Sequence, residues 1–277
     1  MAAVSYELVG VPSTGTNPHR WKFGEPGCPL RLASTPTGLG GAPREHLRQK
    51  NARQAGATWR GLNDDINTIG LDVHVGPEYT SPGVDALDVH ARWRDSLGRG
   101  DELGKFIVTS PRGERWQYVR FEDEKAPDID TAGLEWNGYT REKVTLSSDQ
   151  SFWFAKPVVE TFTVAEFATA SIRNSADVYS FAKYELDGPG TFTVGTLDEY
   201  HTLPAIGAGE KWVIETDRDN AYIHNAAGVD VWDTVGVKYW YDPIPARTTA
   251  SLKLAVTGST GATKATVTVP QFYARAL

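Results

Sequence analysis

The pattern of this sequence predicts an all-β protein with one helix, divided into two domains. Three observations predict it. Ile69, Leu71, Val73 and Val75 alternate with Asp72 and His74, the period of a strand with one packed face and one wet face. The 277 residues include 27 glycines and 16 prolines, with many Thr and Val, which favours short strands and tight turns over long helices. Phe152, Trp153 and Phe154 come together just before Lys156 and Pro157, and a fresh run of strand patterns begins beyond them. That places a boundary between residues 157 and 158.

Val4, Tyr6 and Leu8 alternate in a first short strand. The segment 11–57 that follows is rich in Gly, Pro, Arg and Thr, with Trp21, Phe23, Leu30 and Leu32 as anchors of short strands and a glycine-rich turn from Leu39 to Ala42. Arg44, His46, Arg48, Lys50 and Arg53 then form a basic cluster. So long and weakly patterned a stretch reads either as an extended arm ordered by a partner or as a solvated loop. The strand to Val75 stops at Gly76 and Pro77, since proline cannot donate to a ladder.

Ala86, Val89, Trp93 and Leu97 recur at helical spacing and make one apolar stripe, flanked by His90 and Arg94. Ser81 or Asp85 is placed to cap this helix, and Gly98 and Gly100 to end it. Alternation at Leu87, Val89, Ala91 and Trp93 also allows a strand. Phe106 and Val108 alternate next, Pro111 to Gly113 make a turn, and Trp116, Tyr118 and Arg120 resume the alternation. Glu122 to Lys125 read as a charged turn and Thr140–Leu146 as a strand.

In the second half, strands are expected at 158–163, 180–184, 191–194, 211–215, 221–224, 251–256 and 265–272, with Gly, Asn and Pro turns between them. Such a series is that of a β-sandwich or jelly roll.

Net charge is -7, which argues against a general nucleic-acid-binding surface. The single cysteine, Cys28, leaves no internal disulfide and no multi-cysteine metal site. No run is long enough to span a bilayer and no charged-then-apolar leader opens the chain, so the expectation is a soluble protein made in the cytoplasm. No nucleophile elbow, zinc-protease helix, Walker loop or dinucleotide fingerprint occurs. Asp64 with Asp65, and Glu122 with Asp123 and Glu124, are carboxylate clusters, but neighbours on a strand point to opposite faces and seldom converge on one atom. Tyr239, Trp240 and Tyr241 cannot all face inward, so at least one ring is exposed for a glycan or for an interface.

The order of features resembles the distal tail proteins of long-tailed, non-contractile bacteriophages, particularly the divergent minor tail proteins of phages infecting actinobacteria. In the first domain it rests on the segment from Trp59 through Ile66 with the strand to Val75, the helix around Trp93, the segment Gly104–Val119 with its turn, and Val144–Phe154. In the second it rests on Asn174–Gly190, Gly209–Asp217, Pro243–Gly258 and Val267–Arg275. The segment 11–57 is longer and more basic than the family opening, and the wording after Leu186 departs from it.

The resemblance implies an N-terminal ring-forming β-sandwich or barrel domain, 1–157 with its arm at 11–57, followed by a galectin-like jelly-roll β-sandwich, 158–277. It implies a structural virion protein at the tail tip, made in the host cytoplasm. Six copies would form a ring joining the tail tube protein to the tail-tip hub protein, with a channel for the tape measure protein and then DNA, which passes without specific binding. No cofactor, metal or catalytic residue is implied. Carried over as core or subunit contacts are Ile69, Leu71, Val73, Val75, Trp93, Leu97, Phe106 and Val108. Arg44, Arg48, Lys50 and Arg53 are expected on a partner-contact arm. Two alternatives remain: a carbohydrate-binding sandwich contacting host surface glycans, and a glycosidase on a sandwich scaffold, which would need two carboxylates about 5 to 10 Å apart.

Overall fold

Alternating apolar residues need a sheet on which to bury one face, and in the first half of the chain two sheet segments meet to provide it. The computed structural model describes residues 4–12, 18–76, 84–122, 129–236 and 238–277. The chain divides into two compact units, Met1–Phe154 with Ala274–Leu277, and Ala155–Tyr273.

The first unit contains β1 (Ser5–Val9), β2 (Arg20–Lys22), β3 (Leu30–Leu32), β4 (Arg44–Gln49), β5 (Thr58–Asp64), β6 (Asn67–Val75), α1 (Val84–Leu97), β7 (Gly104–Ser110), β8 (Gly113–Phe121) and β9 (Thr140–Ser148), and the start of β10 (Trp153–Thr163). Antiparallel pairing runs β2-β1-β7-β8, and the end of β8 passes to β9, which pairs with β6 and through it with β3. β6 and β9 pair over their full lengths, Asn67 opposite Ser148 and Val75 opposite Thr140. Ile69, Leu71, Val73 and Val75 are buried on one face of β6, and Phe106, Ile107 and Val108 are buried on β7.

The 86–97 segment is a helix, not a strand. Ala86, Val89, His90, Trp93, Ser96 and Leu97 form its buried face. His90 therefore lies in the stripe and not beside it, because it has a buried carboxylate partner, described below. Gly98 and Gly100 follow the helix with positive φ. Trp93 packs edge-on against Trp21 and Phe23, so β2 and the turn after it are core. Ser81 and Pro77, expected as cap and strand stop, lie outside the described residues, as does most of the charged turn at 122–125.

Two expectations change. The segment 11–57 is not one arm: β2 and β3 build the core, and the self-paired hairpin β4-β5 runs beyond it to Asp64. The parity of β8 is also the reverse of the aromatic reading. Arg115, Gln117 and Val119 are buried, while Trp116 and Tyr118 lie on the other face beside Phe154. Gln117 turns inward because it is fully bonded. Its amide nitrogen donates to the carbonyls of Gln150 and Phe152 at 3.3 and 3.2 Å, and its oxygen accepts from Asn67 at 2.6 Å.

The second unit holds the rest of β10 and β11 (Ser171–Arg173), β12 (Lys183–Asp187), β13 (Gly190–Thr196), β14 (Glu199–Ile206), β15 (Lys211–Glu215), β16 (Tyr222–Asn225), the short α2 (Trp232–Val235), β17 (Thr249–Ser251), β18 (Ala255–Thr257) and β19 (Lys264–Tyr273). One sheet runs β16-β15-β12-β19-β10, and opposite it lie β14-β13-β18 and β11-β17. Tyr184, Leu186, Trp212, Ile214 and Val267 from the first meet Phe192, Val194, Leu203, Ile206 and Leu252 from the other in one core. This is a β-sandwich.

Candidate assembly surfaces

A two-stranded ribbon with no sheet behind it is marginal in water, so its side chains show what it is for. In β4-β5 all six β4 residues are exposed, and Trp59 and Leu62 stand out at 58% and 45% exposure. The register pairs Arg44 with Asp64, His46 with Leu62 and Arg48 with Trp59, placing these six on one face. Arg44 is held by Asp64 at 2.8 Å, and Trp59 Nε1 donates to His46 at 3.3 Å. Gly61, at φ 157, and a register shift between Leu47 and Arg48 form a bulge that strengthens the local twist. Arg48, Lys50 and Arg53 are exposed, whereas Arg44 already has an internal partner. The ribbon thus presents an aromatic and a leucine framed by basic groups.

The eight residues expected as core or subunit contacts, Ile69, Leu71, Val73, Val75, Trp93, Leu97, Phe106 and Val108, are all buried within the first unit. Their neighbourhood contains a group that the sequence reading missed. Glu142 on β9 lies under α1. His90 Nε2 donates to its Oε1 at 2.7 Å, Trp93 Nε1 donates to its Oε2 at 2.9 Å, and Arg94 Nη2 lies 3.2 Å from Oε1. Burial pushes the Glu142 carboxyl up. The hydrogen bond from His90, the Arg94 charge and the Trp93 hydrogen bond outweigh burial and hold the carboxyl below its ordinary value. The signal was available: His90, Trp93 and Arg94 lie three and four residues apart, on one helix face.

In the second unit, Trp240 is buried and its Nε1 donates to the carbonyl of Val194 at 3.1 Å, while Tyr239 and Tyr241 are exposed. The alternation along this segment settles which of the three rings turns inward.

Burial pushes the Cys28 thiol up, away from the thiolate a nucleophile needs. Among the described residues, no group of three or more His, Cys, Asp or Glu side chains is placed to hold a metal ion. No helix among them is long and apolar enough to cross a membrane.

No protein-family model matches the sequence, and no curated protein matches it. Solved structures do match. The class they define is the phage hub and baseplate fold. The chain is similar to the Dit protein, gp 19.1, of phage SPP1, described as a paradigm of the hub adsorption apparatus in phages infecting Gram-positive hosts. The TM-score is 0.66 at 11% identity, covering 96% of this chain and 98% of that one. It is also similar to a chain of the phage P2 baseplate in its activated conformation, with calcium (TM-score 0.55, 11% identity, 98% of each chain) and with strontium (TM-score 0.56, 10% identity, 98% of each chain). At these identities the likeness establishes the fold. It is the distal-tail fold that the sequence resembles.

Proposed function

We propose that this chain is a structural protein of a bacteriophage tail tip. Six copies form a ring through their first units, joining the tail tube protein to the tail-tip hub protein and leaving a channel for the tape measure protein and DNA. The observation that carries this reading is the likeness over nearly the whole of both chains to phage hub and baseplate proteins. A hairpin that among the described residues pairs only with itself and exposes Trp59 and Leu62 supports it, because such a ribbon gains order from a neighbour.

The hairpin lies along an adjacent copy or adjacent tail protein, away from the channel. Arg48, Lys50 and Arg53 there meet carboxylates of the partner in charge-assisted hydrogen bonds. A channel wall that passes DNA gains from not gripping phosphate, since each contact adds a salt-dependent attraction. The net charge of -7 fits that requirement. The role needs no cofactor and no catalytic residue.

Native mass spectrometry and electron microscopy of the purified chain test the ring. The expected particle has sixfold symmetry. The variant R48E/K50E/R53E should assemble poorly and melt like the wild-type monomer. Normal assembly by that variant, or sequence-independent DNA binding lost in it, would overturn the placement of the hairpin.

A further inference from the structure

The segment 238–242 has no strand or helix hydrogen bonds of its own, yet it is pinned along its length. Lys238 Nζ donates to the carbonyl of Thr202, and His201 Nε2 donates to the carbonyl of Tyr239 at 2.9 Å. Trp240 anchors the middle. Glu199 accepts from the amides of Tyr241 and Asp242, and Arg218 Nη2 donates to the carbonyl of Tyr241 at 2.8 Å. Thr196 Oγ1 donates to the carbonyl of Asp242 at 3.0 Å. An irregular backbone held by this many side chains is preorganised, and what it presents outward is Tyr239 and Tyr241.

Those rings are part of a longer strip. Trp232 lies 5.4 Å from Tyr239, and Tyr239 lies 6.2 Å from Tyr241. The Arg218 guanidinium sits 5.0 Å from the Tyr241 ring and 5.8 Å from Phe181. Phe181 meets Tyr179 edge-on at 6.1 Å. Five rings and one guanidinium thus follow one another in contact, with Tyr179, Tyr239 and Tyr241 exposed. Maintaining such aromatic area in water is costly unless it binds something.

The surroundings identify the ligand class. Along the chain, Asp230 and Asp233 flank Trp232, Asp217 and Asp219 flank Arg218, and Asp242 follows Tyr241; one oxygen of Asp230 and one of Asp217 accept from the amides of Trp232 and Asp219. The centre of a protein interface is depleted in such carboxylates. A saccharide presents apolar C–H faces and hydroxyl edges, and rings alternating with carboxylates match both. The excess of acidic groups repels a phosphate- or sulfate-bearing polymer. We propose that this strip on the second unit binds a neutral saccharide chain, its rings stacking on successive sugars and its carboxylates and Arg218 taking the hydroxyls.

The full-length chain is titrated with cellohexaose, maltohexaose and the hexamer of N-acetylglucosamine, with dextran sulfate as the anionic probe, by calorimetry and tryptophan fluorescence. At least one neutral hexamer should bind saturably at millimolar concentration or better, and dextran sulfate should not compete. Y239A/Y241A and R218A should each weaken binding at least about tenfold. Y200A should bind as wild type, because Tyr200 projects from the face of β14 opposite Glu199 and His201. Melting curves of the variants confirm an intact sandwich. The proposal is overturned if no neutral hexamer binds, or if the double variant binds normally. It is equally overturned if that variant changes only the oligomeric state, which would make the strip a protein-docking surface.

Discussion

Glu142 shows how a single buried carboxylate ties a helix to a sheet. Its oxygens receive His90, Trp93 and Arg94 from α1, so removing it leaves two donors and a cation without their acceptor. Glu142→Ala should cost roughly 3–5 kcal/mol, as when one partner of a buried pair is removed. Its carboxyl is depressed in the folded state, so its stabilisation is complete above the unfolded carboxylate value and disappears as pH falls through the folded one. Denaturant melts of the wild type should therefore lose stability in the acid range, and Glu142→Gln should flatten that slope. An unchanged slope would show that Glu142 is not the titrating group. Gln117 makes a related point. Gln117→Leu would fit the space but strand Asn67 and two carbonyls, costing on the order of 1–3 kcal/mol per unsatisfied group. Neither residue was legible as core, since hydrophobic alternation assigns Trp116 and Tyr118 inward and treats His90 as a flank. The spacing of His90, Trp93 and Arg94 shows that three donors share a helix face, but their acceptor, like the partners of Gln117, lies 33 to 52 residues away in sequence, and no local pattern names it.

Among the elements, α1 was readable because its stripe repeats over three turns, and β6 because four β-branched or leucine side chains alternate without interruption. Trp93→Ala should cost roughly 3–5 kcal/mol, since the ring is fully buried between Trp21, Phe23 and Glu142. Arg92→Ala, on an exposed position, should cost far less, and thermal melts of the two variants compare them directly. The hairpin β4-β5 was hidden for the opposite reason. Its side chains face solvent on both sides, so it carries no apolar period, and its charged residues read as a solvated stretch. Trp59→Ala with Leu62→Ala should leave the melting point of the isolated chain almost unchanged while lowering the yield of assembled particles in native mass spectra. A large fall in melting point would mean the ribbon packs on its own unit. β14 was missed as well: Pro204 and His201 interrupt its pattern, and its place is set by pairing with β13.

At the scale of the molecule, the chain divides between Phe154 and Ala155, inside β10 and ahead of the boundary expected at 157/158. What no strand pattern could reveal is that the last residues return to the first unit. The amide of Ala276 donates to the carbonyl of Leu39 at 2.8 Å, Arg115 donates to the carbonyl of Arg275 at 2.7 Å, and Ala276 is buried. Gly41 makes room for this approach. It has a φ of 92, and a Cβ built on it would lie 1.9 Å from the carbonyl oxygen of Ala274. The glycine-rich turn at 38–41 is therefore the seat of the chain's own end. Truncation after Tyr273 should destabilise the first unit, because it removes the buried Ala276 and the hydrogen bonds at Leu39 and Arg275, each worth roughly 0.5–1.5 kcal/mol. Gly41→Ala should produce the same effect from the opposite side of the contact. The second unit's transition, identified with a fragment spanning residues 155–273, should be unaffected by either change. If truncation instead shifts the transition of that fragment's unit, the assignment of the tail to the first unit is wrong.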